Sequence, residues 1–358
     1  VIHALPVLPY LESVDPHMEI DWIVEEPFAT LLESHPLIRR VHRIHTKLWR
    51  KPGELGTQWR AITGLLRSLR KERYQKVLDL QGNSKSGLLT FLCGAPLRYG
   101  FDARAVKEWP NLLATNRRVA LGRFDHHITD RSLRIVESAF PGGVRPNLAG
   151  PIFSLPDAAE PVSHSLSRQD LPRRKTIVFH PGASWPTKMW ALEHWQELAQ
   201  QVVKKLGADI LLTWGNAFEL EACRAIQRAA GGRATIWPRC NLPELAALLN
   251  RVAAMVGGDT GPLHLAAALG TPTVSLFRVT DCSRNGPRGV RHRCLQAPLQ
   301  CSPCLKKKCS LDDPCSQSID PAAVYQALCE VLGECSPLRS QRTQSLPGVV
   351  NPASGPGA

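Results

Sequence analysis

The chain has 358 residues, 43% of them hydrophobic and 21% charged, with a formal net charge of +13. That length allows two domains with well-formed cores, and no apolar run approaches the roughly 20 residues that a membrane-spanning helix needs. The opening residues do not read as a secretory leader, and of eleven cysteines eight crowd between Cys282 and Cys335. A disulfide framework is therefore not expected, and a reducing compartment is.

Residues 1–14 read as an amphipathic segment, Glu19–Val24 as a short strand, and Glu25-Glu26-Pro27 as the start of a helix through Leu32. Ile38–Ile44 returns as a strand and leads into a basic loop at 46–56. Ile62, Leu65, Leu66 and Leu69 then give one side of a helix over roughly 59–72 its apolar face. Val77–Leu80 is the next strand, Gln81-Gly82-Asn83-Ser84-Lys85 opens a helix to Cys93, and Arg98–Phe101 is a further strand. This alternation predicts a mainly parallel, doubly wound sheet. From Arg39 to Lys76 twelve Lys or Arg stand against Glu54 and Glu72. Such a block attracts a polyanion, whether nucleic acid, anionic membrane or a phosphorylated substrate.

Between 141 and 175 prolines and glycines mark a linker. A second α/β unit follows, with strands at Thr176–Phe179, Ala208–Thr213 and Ala234–Trp237. Asn241 and Glu244 form a capping box for a helix ending near Arg251. Val252–Phe277 reads as buried strand, glycine turn, short helix and buried strand. Pro262 suits the first turn of that helix, Gly258 and Gly261 let a ligand approach the backbone, and the helix N-terminus attracts an anion. After Cys335 the chain turns rich in Ser, Pro, Gly and Arg, a composition that does not fold alone. The expected division is 1–150, linker 151–172, 173–335, and a tail 336–358, with a cleft between two Rossmann-like domains.

Three turns should share one carboxyl edge of the second sheet. They are His180-Pro181-Gly182-Ala183-Ser184 with Lys188, Trp214-Gly215-Asn216 with Glu219, and Gly257-Gly258-Asp259-Thr260-Gly261 with His264. A cation, a carboxylate and a helix N-terminus at one edge suit a nucleotide diphosphate: Lys188 would neutralise phosphate, and Glu219 would accept ribose hydroxyls. Separately, Cys301-x2-Cys304-x4-Cys309-x5-Cys315 is a spacing open both to a structural zinc or iron and to free thiols. His126 and His127 are candidates for acceptor contact or for ordinary surface histidines before a helix.

Ile20–Phe28, Gln81-Gly82 with Lys85-Ser86, Lys188-Met189-Trp190 with His194-Trp195, and Asp259-Thr260-Gly261 with His264 together resemble glycosyltransferase family 9, the ADP-heptose-dependent lipopolysaccharide heptosyltransferases, and within it the heptosyltransferase I branch. The resemblance covers residues 1 to about 330. It implies a GT-B fold, an acceptor in the first domain and ADP-heptose in the second, and inverting transfer to Kdo-lipid A with no cofactor or metal in catalysis. It implies further that Lys188 and Asp259 are catalytic, and that Ser184, Gly215, Glu219, Thr260, Gly261 and His264 join them in holding the donor. Lys47, Arg50, Lys51, Lys85 and Lys107 would meet the anionic acceptor, so the basic block needs no nucleic acid. The work would take place on the anionic cytoplasmic face of the inner membrane. The family pattern also has a strand ending in Gly-Asp before the position of Val1, and that Asp is the general base it expects. An alternative within the family is transfer of another sugar or to another acceptor; an alternative outside catalysis is a nucleotide-sugar-binding remnant.

Overall fold

The computed structural model of the protein describes residues 1–33, 35–46, 55–152 and 175–334, with 55–61 as backbone only. Lys47, Arg50 and Lys51, most of the expected linker, and the tail from 335 lie outside the described residues.

In the first half a 3-10 turn (Ile2–Ala4) leads into α1 (Val7–Val14), β1 (Asp21–Glu25), α2 (Glu26–Ala29), β2 (Arg40–Ile44) and α3 (Leu55–Lys71). There follow β3 (Lys76–Leu78), α4 (Ser84–Leu92), β4 (Leu97–Phe101), a 3-10 helix (Trp109–Leu113), β5 (Arg117–Val119) and α5 (Ile128–Ala139). All strand pairs are parallel, but among the described residues they form two sheets, β1-β2 and β3-β4-β5, rather than one. Side chains bridge the two. Asp21 of β1 accepts from Arg39 (2.8 and 2.7 Å) and from the Tyr74 hydroxyl just before β3. Burial opposes the Asp21 charge, but those two donors outweigh it and bring the carboxyl down to about 2.

The second half runs β6 (Thr176–His180), a 3-10 turn (Pro186–Lys188), α6 (Leu192–Gln201), β7 (Asp209–Leu212), α7 (Ala217–Ala229), β8 (Ala234–Ile236), α8 (Leu242–Leu249) and β9 (Ala254–Gly258). It continues with α9 (Gly261–Ala268), β10 (Thr273–Phe277), α10 (Cys282–Asn285), β11 (His292–Gln296), α11 (Asp312–Gln317) and α12 (Pro321–Leu332). Its six parallel strands lie in the order β11-β10-β9-β6-β7-β8. This is the doubly wound order, whose direction reverses between β6 and β9, and ligands of such sheets bind at that reversal. β6, β9 and β10 are buried at every position, as strands covered on both faces must be. The Asn241–Glu244 capping box forms as expected. The short elements Trp109–Leu113 and β5 carry too few residues for a period to show.

One apolar core joins the halves: Leu5, Leu8, Val24, Leu133 and Val136 pack in the same cluster as Val178, Leu245, Met255 and Leu263. Polar contacts close the joint. Arg288 pairs with Asp130, with one bond at 3.0 Å, and His126 bonds Asp281 at 2.9 Å and Ser283 at 3.0 Å. His127 is buried; its Nδ1 accepts from Thr129 N–H at 3.2 Å, capping α5, and its Nε2–H donates to Gly286 O at 3.0 Å. Both histidines thus contribute bonds to the joint.

Burial first, and then the nearby Arg288, push His127 down from 6.5 to about 4. The unfolded chain takes up this proton before the folded one does. The contribution is complete above pH 6.5 and is lost as pH falls towards about 4. It amounts to about 3 kcal/mol at most. His127→Asn keeps a cap acceptor but removes the titration. The Tm difference between wild type and His127→Asn, followed by thermal melting, should shrink across that window. A difference independent of pH would contradict the assignment.

Candidate active site

The reversal point of the second sheet gathers the turns that end β6, β7 and β9. After β9 the chain passes through Asp259 and Thr260 into α9. Thr260 does not cap the helix; its hydroxyl turns back to Gly258 O at 3.3 Å, and the first N–H groups of α9 face the turn without a side-chain cap. With Pro262 in the first turn, this is an anion-attracting helix end.

Asp259 is only 8% exposed. Its Oδ2 accepts from Lys188 Nζ at 2.8 Å and its Oδ1 from His264 Nε2–H at 2.8 Å, while Lys188 Nζ also donates to Asp259 O at 3.1 Å. Burial opposes the charge on Asp259, but the His264 hydrogen bond and charge, followed by those of Lys188, outweigh it and hold the carboxyl well below the usual carboxylate range. An ammonium has three donors; two of them serve Asp259, so Lys188 keeps one for an incoming anion. Lys188 also lies 5.1 Å from the centroid of Trp185, which takes Lys307 at 4.8 Å. The positive charge at this edge therefore includes the lysine run that follows Cys304. His264, expected at the rim, is buried and bonds the Asp259 oxygen that Lys188 leaves free.

A second unit joins the β6 and β7 turns. Glu219 is 7% exposed and accepts from Gly215 N–H at 2.7 Å and Asn216 Nδ2 at 2.8 Å; Asn216 in turn caps α7 by accepting from Glu219 N–H at 3.0 Å. Gly182 is there for space: a Cβ at that position would stand 2.2 Å from the Glu219 carboxyl carbon. Ser184 and Gly215 sit exposed along the same edge. Each Glu219 oxygen retains capacity for a further donor.

Arg278, just beyond β10, was not among the expected site residues. It is buried, and donates to Met189 O and to Asp312 O at 2.7 Å and Oδ1 at 2.6 Å. It thereby ties the residue after Lys188 to α11. A cation directly following the apolar run Thr273–Phe277 was the available signal, since an arginine is rarely buried without partners.

Across the joint, Lys85 on α4 donates to Thr46 Oγ1 at 2.9 Å, and Thr46 bonds Glu25 at the end of β1. Lys107 is exposed and its N–H reaches Gly82 O at 3.1 Å. Buried Asp79 shapes this turn by accepting from Gln81 and Gly82 N–H at 2.9 and 3.0 Å, and Gly82 takes a φ of +67°. Lys85 and Lys107 therefore flank one turn. The rest of the basic block is partly neutralised: Arg39 and Arg40 pair with Glu72, and Arg43 with Glu26 and Glu33.

Of the two readings open for the late cysteines, free thiols and not a structural metal are what the structure supports. Cys301, Cys304, Cys309 and Cys315 are free thiols, Cys301 exposed and Cys315 buried in an apolar cluster with Ile319 and Leu328. Among the described residues no group of three or more His, Cys, Asp or Glu is arranged to hold a metal. Cys315 is turned into the core by α11, away from any shared centre.

Residues 62–314 match the profile of glycosyltransferase family 9 (heptosyltransferase). The chain is 33% identical to lipopolysaccharide heptosyltransferase 1 of Pseudomonas aeruginosa over 87% of its own length and 84% of that protein. To the enzyme of the same name from Escherichia coli K12 it is 28% identical, covering 84% and 91%. Its fold is similar to that of E. coli heptosyltransferase WaaC solved with ADP, with a TM-score of 0.73 and 25% identity over 92% of this chain and 95% of that one.

Gly182→Ala should displace the Glu219 carboxylate and destabilise the protein by about 1–3 kcal/mol. In a double-mutant cycle with Glu219→Ala most of that cost should disappear. Equal melting of Gly182→Ala and wild type would show that the two turns are not in contact as described.

Proposed function

This chain belongs to glycosyltransferase family 9, and we propose that it transfers heptose from ADP-heptose to the Kdo of the lipopolysaccharide inner core, as heptosyltransferase I does. The chain is a glycosyltransferase; the sugar, the acceptor and the residue roles below are our reading. The observation that carries it is the Lys188–Asp259–His264 chain beside the open N-terminus of α9, at the reversal point of the sheet.

As the acceptor hydroxyl forms its bond to the anomeric carbon and gives up its proton to a general base, the bond from that carbon to the diphosphate breaks and negative charge grows on the departing ADP. The remaining Lys188 donor and the α9 N–H groups are preorganised to receive that charge, and such donors act without reorganising during the reaction. Asp259 keeps Lys188 at the diphosphate, and His264 keeps Asp259 oriented. Thr260 and Gly261 line the approach of the phosphates, Ser184 and Gly215 the same edge, and Glu219 accepts from the ribose hydroxyls. E. coli WaaC was solved with ADP and with ADP-2-deoxy-2-fluoro heptose, which supports an ADP-sugar as the donor here. In this reading residues 1–150 hold the acceptor and 173–335 the donor. Lys85 and Lys107, with Lys47, Arg50 and Lys51, meet the anionic groups of Kdo-lipid A. The transfer inverts the anomeric centre, uses no catalytic metal, and takes place with the protein peripheral to the anionic inner face of the inner membrane.

Incubation with ADP-heptose and Kdo-lipid A should release ADP and add one heptose mass to the acceptor, and a chelator should leave the rate unchanged. No ADP release from folded protein would contradict the reading, and a donor panel would reveal another sugar. Lys188→Ala should lower kcat by about 100-fold or more while His264 still holds Asp259. Unchanged kinetics would remove Lys188 from the mechanism.

A further inference from the structure

Beyond Lys85, α4 and the Trp109–Leu113 helix form an outer face of the first half to which the proposed transfer assigns no residue. The two are packed side by side at Gly87, where a Cβ would stand 2.9 Å from Asn111 Nδ2 and 3.4 Å from the Ala114 Cβ. The inner side of the 3-10 helix is pinned: Asn111 is fully buried and donates to Asp79 at 2.6 Å and to Asn83 O at 2.8 Å. The outer side is apolar and in water. Leu88 is 50% exposed, Phe91 55%, Trp109 70% and Leu113 73%. Four large apolar side chains on two firmly held elements are more than the scattered exposure of an ordinary surface.

Cations surround them. Arg98 lies over the Phe91 ring at 5.7 Å while donating to Ala114 O at 2.7 Å, and Arg118 donates to Leu112 O at 3.0 Å. Between Ser84 and Phe124 there are seven Lys or Arg and two acids. Both acids are engaged with backbone N–H groups: Glu108 with Ser84 at 2.8 Å, Asp102 with Ala105 at 3.0 Å. Arg104, Lys107 and Arg117 stay exposed. An aromatic and aliphatic face flanked by Arg98 and Arg118 in a cation-rich stretch matches a bilayer interface, whose headgroup region takes tryptophan and whose anionic lipids attract lysine and arginine. A soluble acidic partner would meet the cations but would not call for the apolar centre.

We propose that this face docks the protein on an anionic lipid bilayer. α4 begins at the Gln81–Lys85 turn that carries Lys85 and is flanked by Lys107, so the docked helix leads directly to the acceptor end of the cleft. The inference rests on the reading that the acceptor is a lipid-linked sugar, which the docked enzyme would meet at the plane in which it lies.

The test is flotation of the full chain with phosphatidylglycerol-rich vesicles and with pure phosphatidylcholine vesicles. Wild type should float with the first and not with the second. The double variant Trp109→Ser/Leu113→Ser, exposed positions whose Tm should not move, should lose at least about tenfold in vesicle affinity, and Arg117→Glu should weaken binding to the anionic vesicles alone. The double variant should transfer to a water-soluble Kdo oligosaccharide at the wild-type rate and to vesicle-embedded acceptor more slowly. Equal flotation of the double variant and wild type would overturn the proposal, as would a dimer in sedimentation that the double variant dissolves without altering flotation. Patch-dependent flotation by a protein that transfers no heptose to either acceptor would support docking while removing the proposed function.

Discussion

Asp259 is removed from water and kept charged, and the geometry of the cleft follows from what that requires. A buried carboxylate without partners costs several kcal/mol, and breaking a buried pair costs about 3–5 kcal/mol. Lys188 and His264 meet that requirement from opposite sides. To do so Lys188 must leave its own turn after β6 and reach the turn after β9, which fastens the two strands at the point where the sheet order reverses. The same bonds leave one ammonium donor of Lys188 beside the uncapped start of α9. Arg278 holds the neighbouring Met189 carbonyl from beneath, so the lysine turn is fixed from both sides.

Around this centre the second half is rigid by construction. Its central strands are covered on both faces, and Glu219 locks the β6 turn to the β7 turn across Gly182. The first half is held to it by a shared apolar core and by the contacts of His126, His127 and Asp130 with the loop around α10. That joint sets where Lys85 and Lys107 stand relative to Lys188, the two groups proposed to meet acceptor and donor.

Much of this was legible in the residues. β-branched and apolar stretches without alternation, such as Thr176–Phe179 and Thr273–Phe277, announced buried parallel strands, because strands covered on both faces need no alternation. Asn241 with Glu244, and Pro262 after a glycine turn, announced helix starts through chemistry that depends on those side chains alone. What the sequence did not show arises from contacts distant along the chain. His127 reads as a surface histidine until Gly286 is placed beside it, and Arg278 as an ordinary strand-end cation until Met189 and Asp312 close on it. The cysteine spacing left two readings open for a related reason: spacing describes which thiols are near in the chain, whereas α11 turns Cys315 into the core.

In the proposed reaction Lys188, positioned by Asp259 and His264, receives the diphosphate of the donor. A crystal structure of this protein with ADP bound tests it most directly. The β-phosphate should lie between the ends of β6 and β9, within hydrogen-bond reach of Lys188 Nζ and of the first N–H groups of α9, with His264 still donating to Asp259. A diphosphate bound elsewhere in the cleft, with Lys188 making no contact to it, would contradict the account.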